Sequence, residues 1–300
     1  MSSDRSAIHA SERESARARQ SKQLRNLQST GVKVILVPFA WALAIFDVLV
    51  LLWILLSSFK TTRELIFDPW SLPASLQWQN YVEAWNSANL GVGIMNSVLL
   101  VVTCSLASVL LGAPAAYALS RFKRPSAGPL TLLFVLGLAV PVQAIFIPLF
   151  VAFDRIGLTD SILGLFLIYT GLSLPFTVFL LTGFFKSLPR DLEEAAALDG
   201  LKPVATFWQI MFPLARSGLV TVVVLQAISF WGETFFAMVF LRQESTISVA
   251  LLQFMKTMQY TGARWEVLFA GIALIILPLL LLYIWLGSRL VEGIAAGYGK

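Results

Sequence analysis

A chain of 300 residues that is 57% hydrophobic and only 13% charged, with a mean hydropathy of +0.78, cannot cover a soluble surface with polar groups; soluble domains carry ~25% charged residues. Its apolar side chains must face lipid or one another across a membrane. The net charge of +5 from 22 basic and 17 acidic residues is, on a membrane protein, a topology signal, and no nucleic-acid partner is expected. His9, the single histidine, lies in a polar tail and excludes a His-based metal site or triad, while Cys104, the single cysteine, cannot form an internal disulfide.

Residues 1–33 hold seven serines, seven Lys or Arg and few large apolar side chains, which predicts a disordered basic tail. The apolar run that follows, from Val34 to about Ser58, is too long for the ~7–15-residue core of a cleavable signal peptide and is expected to span the membrane. Five more stretches approach the ~20 residues needed to cross the hydrocarbon: about 94–119, 130–152, 161–185, 218–241 and 266–287. Prolines and small or hydroxyl residues interrupt most of them, which suits a packed, solvent-lined bundle better than a simple anchor. The expected fold is therefore an all-α integral membrane protein with six transmembrane helices.

The basic residues then set the orientation. With the N-terminus inside, sixteen Lys or Arg fall in the inner segments 1–33, 120–128, 186–216 and 288–300, against six (Lys60, Arg63, Arg155, Arg242, Lys256 and Arg264) outside. Both termini are thus expected in the cytoplasm. Two of the outer connections, 60–93 and 242–265, are long and aromatic-rich, as in Trp78-Gln-Asn-Tyr81. They could serve as interfacial anchors or as a docking surface.

Between the fourth and fifth spans, residues 186–216 carry four acidic and four basic side chains. The local chemistry predicts a short helix over 189–200: Pro189 suits a first helical position, Asp191, Glu193 and Glu194 favour the positive end of the helix dipole, and Gly200 suits the C-terminal cap. Pro203 can start a second helix leading into the fifth span. In this segment Glu194-Ala195-Ala196 is followed after three residues by Gly200, after nine more by Ile210, and then by Phe212-Pro213.

That pattern closely resembles the cytoplasmic signature of permease subunits of binding-protein-dependent ABC importers, which reads Glu-Ala-Ala, three residues, Gly, nine residues, Ile, one residue, Leu-Pro. Every spacing matches, and Phe212 replaces the family's Leu. Leu188-Pro189, Ala197-Leu198-Asp199, Asn80-Tyr81, Asn96-Ser97, Ala116-Tyr117-Ala118 with Arg121, and the terminal Gly293-Ile-Ala-Ala-Gly297 resemble the maltose-type carbohydrate branch. Two places depart from it: Arg216-Ser217 stands where a second proline is common, and Trp231-Gly232-Glu233 replaces Trp-Asn-Glu.

The resemblance covers roughly residues 34–300 and implies an ABC type I importer permease fold in a bacterial or archaeal cytoplasmic membrane. It further implies that Glu193, Glu194, Ala195, Ala196, Asp199, Gly200, Ile210 and Pro213 form an ATPase-coupling segment. Expected partners are a homologous permease, two copies of an ATPase chain, an extracytoplasmic solute-binding protein and membrane lipid. No cofactor is expected in this chain, because ATP and Mg2+ would be bound by the ATPase. No enzyme activity is expected either: P-loop, zincin and nucleophile motifs are absent from the sequence.

Within the spans, Asp47 and Glu233 each cost ~2.5–3.5 kcal/mol at a helix centre and call for a partner or a polar cavity. Gln143, Tyr169, Ser173, Ser229, Trp231 and Glu233 are the candidate lining of a substrate pathway, with polar glue between helices as the other reading. A permease for an amino acid, peptide or phosphorus compound is the alternative function. A secondary transporter is a weaker one, since the sequence carries neither an intramembrane charge network nor an evident inverted repeat.

Overall fold

The structure, a computed structural model, describes residues 36–87, 89–121 and 127–298. The basic tail 1–33, Lys123, Arg124 and Lys300 lie outside these residues. Residues up to Leu56 and residues from Ser57 onward form two units. The first contributes helix α1, Leu36–Ser58, with Asp47 near its middle, and packing is described below for the second unit alone.

All regular structure among the described residues is helical. Four helices are long and apolar enough to cross a membrane: α1, α4 (Leu90–Arg121), α7 (Ile162–Ser187) and the apolar part of α14 (Trp265–Tyr298). Two bent pairs complete a set of six if each is counted as one span. The first pair is α5 (Ala127–Ala139) with α6 (Val142–Arg155), turned by 95°. The second runs from α9 (Pro203–Thr206) through a π-helical turn (Phe207–Met211) and α10 (Phe212–Leu214), then bends 71° into α11 (Arg216–Gly232).

The first bend breaks the third span that hydropathy read as one stretch over 130–152, and it has a local cause, whereas the second falls at Ala215, ahead of the expected fifth span 218–241. Pro141 has no N–H to donate and disfavours the α conformation at Val140, so one helix stops and Pro141 takes φ −66° and ψ 117° before the next. At the second bend Ala215 takes φ −79° and ψ 10°. The fifth span also ends early: α11 stops at Gly232, Glu233 is extended with ψ 124°, and a short α12 (Phe235–Phe240) follows. Hydropathy read 218–241 as continuous because every stretch on either side of that break is apolar.

α4 and α7 form the most extensive helix pair. A Cβ at Gly112 would lie 2.6 Å from Cγ2 of Thr177, so glycine is what lets the two helices approach there. That contact has a purpose: Ser108 donates to Oε1 of Gln226 (2.6 Å), and Nε2 of Gln226 donates to Oγ1 of Thr177 (2.6 Å), all three residues being buried. The chain joins α4, α7 and α11 where no water is available, each such bond being worth ~0.6 to 1.7 kcal/mol in a membrane protein.

At the opposite end from residues 186–216, polar contacts lock the connections. α2 (Thr62–Phe67) is closed by a capping box between Thr61 and Glu64. Lys60, fully buried, donates Nζ to the carbonyls of Asp68 and Pro69 that follow α2. Asn80, in α3 (Gln79–Ser87), donates to the carbonyls of Ser58 and Lys60. Arg264 pairs with Glu83 and Glu266, the latter also accepting from Thr62.

Asp160 clips two outer connections together. Its backbone is left-handed at φ 55°, and one carboxylate oxygen accepts the amides of Arg242 (2.7 Å) and Gln243 (3.0 Å). Those amides, Gln243 foremost, hold the carboxyl below the usual aspartate range. A carboxyl lowered in the folded state stabilises fully above its unfolded value of ~3.9 and loses that contribution as pH falls through its folded value. Amide protection at Arg242 and Gln243, followed by hydrogen exchange, is therefore expected to hold from neutrality down to the ordinary aspartate range near pH ~4 and to be lost only as pH falls below it. Asp160→Ala is expected to remove the protection at every pH.

Candidate translocation cavity and coupling surface

A cavity of about 420 Å3 opens between α6, α7, α11 and the start of α12. Gln143 enters it from the first turn of α6, directly after the Pro141 break. Tyr169 and Ser173 come from consecutive turns of α7, and Gln226, Ser229 and Glu233 from the last turns of α11 and the residue that caps it. Aromatic rings supply much of the remainder: Phe176, Phe230, Phe235 and Phe236. Tyr169 and Phe230 stack with planes 4° apart and centroids at 5.2 Å, making one flat wall.

Glu233 is the one acid on this wall, and its oxygens are engaged. It accepts the Tyr169 hydroxyl, the Phe236 amide (2.9 Å) and the Ala237 amide (3.2 Å). The carboxylate thus caps α12 and ties it to α7. Gln143 and Ser229 are exposed within the cavity, leaving an amide and a hydroxyl free to meet a neutral polar solute between aromatic faces.

Five of the six candidate pathway residues meet here: Gln143, Tyr169, Ser173, Ser229 and Glu233. Trp231 does not. One residue's rotation around α11 turns it into the core beside Ala84, Leu90 and Ile247, where its indole N–H donates to the Ile275 carbonyl at 3.2 Å. Gln226 and the phenylalanines were missed, although Gln226 carried the same signal as Gln143, a polar side chain inside an apolar run.

The segment expected to couple builds a compact helix, α8 (Asp191–Leu198), two residues shorter at its start than expected because Arg190 serves as the N-cap. Its C-terminus is a complete Schellman arrangement. Gly200 is left-handed at φ 81°, its amide donates to Ala197 (3.1 Å), and the Leu201 amide donates to Ala196 (2.9 Å). Glu194, Ala195, Asp199 and Gly200 are exposed, together with Leu192 and Leu198, the latter 89% exposed.

Ala196 and Glu193 face the other way. Ala196 is buried against the chain itself, and Glu193 pairs with Arg121 at 2.7 Å. Ile210 is half-buried in the π-helical turn, packed on the cluster of Tyr117, Phe185 and Phe207, and Pro213 is exposed. The outward surface of this segment is therefore Asp191, Leu192, Glu194, Ala195, Ala197, Leu198, Asp199 and Gly200, small apolar side chains interspersed with three carboxylates.

The helical order, the bent spans and the intervening short helix α8 define an ABC importer permease fold. A bacterial ABC transporter involved in import of the acidic polysaccharide alginate superposes on 85% of this chain and 96% of its own chain, with a TM-score of 0.72 at 23% identity. Residues 108–295 match the family described as binding-protein-dependent transport system inner membrane component. The diacetylchitobiose uptake system permease protein NgcG of Streptomyces coelicolor is 36% identical over 249 residues, 82% of each chain. A probable starch degradation products transport system permease protein, AmyC, of Thermoanaerobacterium thermosulfurigenes is 33% identical over 260 residues, 84% of this chain and 94% of the relative. The chain belongs to this family of inner membrane components of binding-protein-dependent transport systems. It is a multi-pass transport permease subunit rather than an enzyme.

Proposed function

We propose that the chain is the permease subunit of an ATP-driven carbohydrate importer, forming half of the pathway beside a homologous permease. The observation that carries this reading is the cavity: aromatic faces, amides and hydroxyls surround it, and its one carboxylate already accepts three hydrogen bonds from the protein. Such a lining suits a neutral, polyhydroxylated solute, whose ring faces pack on aromatic side chains while its hydroxyls exchange hydrogen bonds. Relatives named for diacetylchitobiose and starch products support it.

The partners follow from what the chain offers. ATP and Mg2+ belong to two copies of a cytoplasmic ATPase chain that receive the outward surface of α8, and solute arrives from an extracytoplasmic binding protein. The setting is a bacterial or archaeal cytoplasmic membrane with both termini inside, as the basic residues indicate. Purification from native membranes is expected to yield the chain with a second permease and an ATPase, and vesicles are expected to take up solute only with ATP. Recovery of the chain alone, driving uptake without ATP, would overturn the assignment. Mass spectrometry of the ligand held by the co-purifying binding protein is expected to find a saccharide; an amino acid or peptide there would remove the carbohydrate reading and leave the importer.

A further inference from the structure

One guanidinium joins three helix ends at the coupling segment. Arg121 is the last residue of α4, where the helix dipole favours a cation, and its side chain is only 6% exposed. Its Nε lies 2.7 Å from Oε1 of Glu193 in the first turn of α8, where the dipole favours an anion. Its NH2 donates to the carbonyl of Leu188, which caps the end of α7, at 2.9 Å. Beneath the pair, Tyr117 of α4 packs on Phe185 of α7 and on Phe207 of the π-helical turn, with ring centroids at 5.5 and 5.1 Å.

The chain itself connects α8 to α7 through residues 188–190 and to α11 through residues 199–215. Among the described residues, α8 is tied to α4 at Glu193, which meets both Arg121 and the Tyr117 hydroxyl. The same guanidinium fixes Leu188 and so restrains the short connection between α7 and α8. α4 then reaches the cavity from behind: Ser108 lies on it about 20 Å from Arg121 at 1.5 Å rise per residue, and Ser108 holds Gln226, which lines the cavity and holds Thr177 of α7.

We propose that the Arg121–Glu193 pair is a transmission joint: it makes α4 move with the coupling helix, and α4 carries that displacement through Ser108 and Gln226 to the cavity wall. Arg121 and Glu193 are then positioning residues for the ATP-driven step, distinct from the outward residues of α8 that meet the ATPase. The inference rests on the coupling role given above for α8.

The test uses the whole transporter, purified with its ATPase and reconstituted in nanodiscs, with Cys104→Ala and Gln143→Cys as a reporter in the cavity. The labelling rate of the reporter by a polar maleimide is compared without nucleotide and after trapping with ATP and vanadate. With Arg121 and Glu193 intact the rate is expected to change about fivefold or more, the lower range of allosteric coupling. With Glu193→Gln the ATPase still traps vanadate but the labelling rate no longer responds, and Glu193→Asp restores the response. If Glu193→Gln prevents assembly, the paired variant Arg121→Met with Glu193→Leu replaces it, filling the space without leaving one charge buried alone.

A full response in Glu193→Gln or in the paired variant overturns the joint, as does failure of Glu193→Asp to restore the response. Failure of both Glu193→Gln and the paired variant to assemble also overturns it, since the pair would then serve to build the interface rather than to transmit. No response even with both residues intact removes the coupling role of α8 itself, which separates that failure from the failure of the joint.

Discussion

Uptake by a transporter carrying Gly200→Val is expected to fall roughly tenfold or more, because left-handed strain of about 1 to 3 kcal/mol is then imposed on the end of α8 and 1.4 kcal/mol is a factor of ten. The reason is conformational and not steric. A Cβ at Gly200 would meet nothing within 4 Å, yet the backbone sits at φ 81°, where a β-branched residue is least tolerated. To relieve that strain, the chain would give up the bonds from Gly200 to Ala197 and from Leu201 to Ala196, and α8 would present Leu198 and Asp199 at the wrong angle. Gly200→Asn is expected to keep most of the uptake, because asparagine enters the left-handed region readily. Equal loss in both variants, measured as solute uptake at matched assembly with the ATPase, would move the requirement from backbone conformation to the surface itself. Glu194→Lys is expected to uncouple hydrolysis from uptake by reversing a charge on the same surface.

Glu233→Ala is expected to have the second large effect. It removes the acceptor for two amides of α12 and for the Tyr169 hydroxyl, at a cost of about 1 to 3 kcal/mol per group left unsatisfied. α12 would then lose its cap and its tie to α7, widening one side of the cavity, and uptake is expected to drop by roughly tenfold or more. Glu233→Gln keeps one oxygen for the Ala237 amide and the Tyr169 hydroxyl but loses the bond to the Phe236 amide, and it is expected to lose about 1 kcal/mol, a several-fold drop and less than in Glu233→Ala. Because the substitution removes the charge and retains an acceptor, the comparison separates a cap from a charge site. Loss in Gln as deep as in Ala, read from uptake rates at equal expression, would assign the carboxylate's charge a direct role.

How far the fold could be read in advance varied with the kind of signal. The six apolar stretches are visible because lipid demands length and hydropathy, and α1, α4, α7 and α14 fall where they were expected. The 95° turn at Pro141 was less legible: proline is tolerated inside spanning helices as often as it breaks them, and Pro114, Pro148, Pro175 and Pro278 all sit within continuous helices here. The helix around the Glu194-Ala195-Ala196 motif was legible down to its C-terminal glycine, because caps are local chemistry. Its two faces were not. The resemblance grouped Glu193 with Glu194 in the coupling segment, whereas Arg121, which sequence counting treated as one more inner positive charge, draws Glu193 inward.

The cavity shows the same division. Polar residues inside apolar spans drew attention to Gln143, Tyr169, Ser173, Ser229 and Glu233 one at a time, and only the packing of α6, α7 and α11 brings them to one space. Trp231 was grouped with Glu233 by proximity in sequence, but α11 ends between them at Gly232, and Trp231 keeps the helical direction that points it into the core. Gln226 carried the same signal, but its partners, Ser108 and Thr177, lie on two other helices.

The π-helical turn at Phe207–Met211 gives the fixed count between Gly200 and Ile210 a geometric meaning. A wide turn of this kind accommodates one more residue than an α turn while the axis stays continuous. Each residue elsewhere rotates the chain by about 100°, so the same number of residues wound as regular α-helix would swing Pro213, Ala215 and all of α11 around by that angle. Gln226 would leave Ser108 and Thr177, and Glu233 would leave Tyr169. The wide turn thus takes up one residue of phase between α8 and the cavity wall, so a one-residue deletion inside it is expected to disturb α11 far less than the same deletion elsewhere between Gly200 and Ala215.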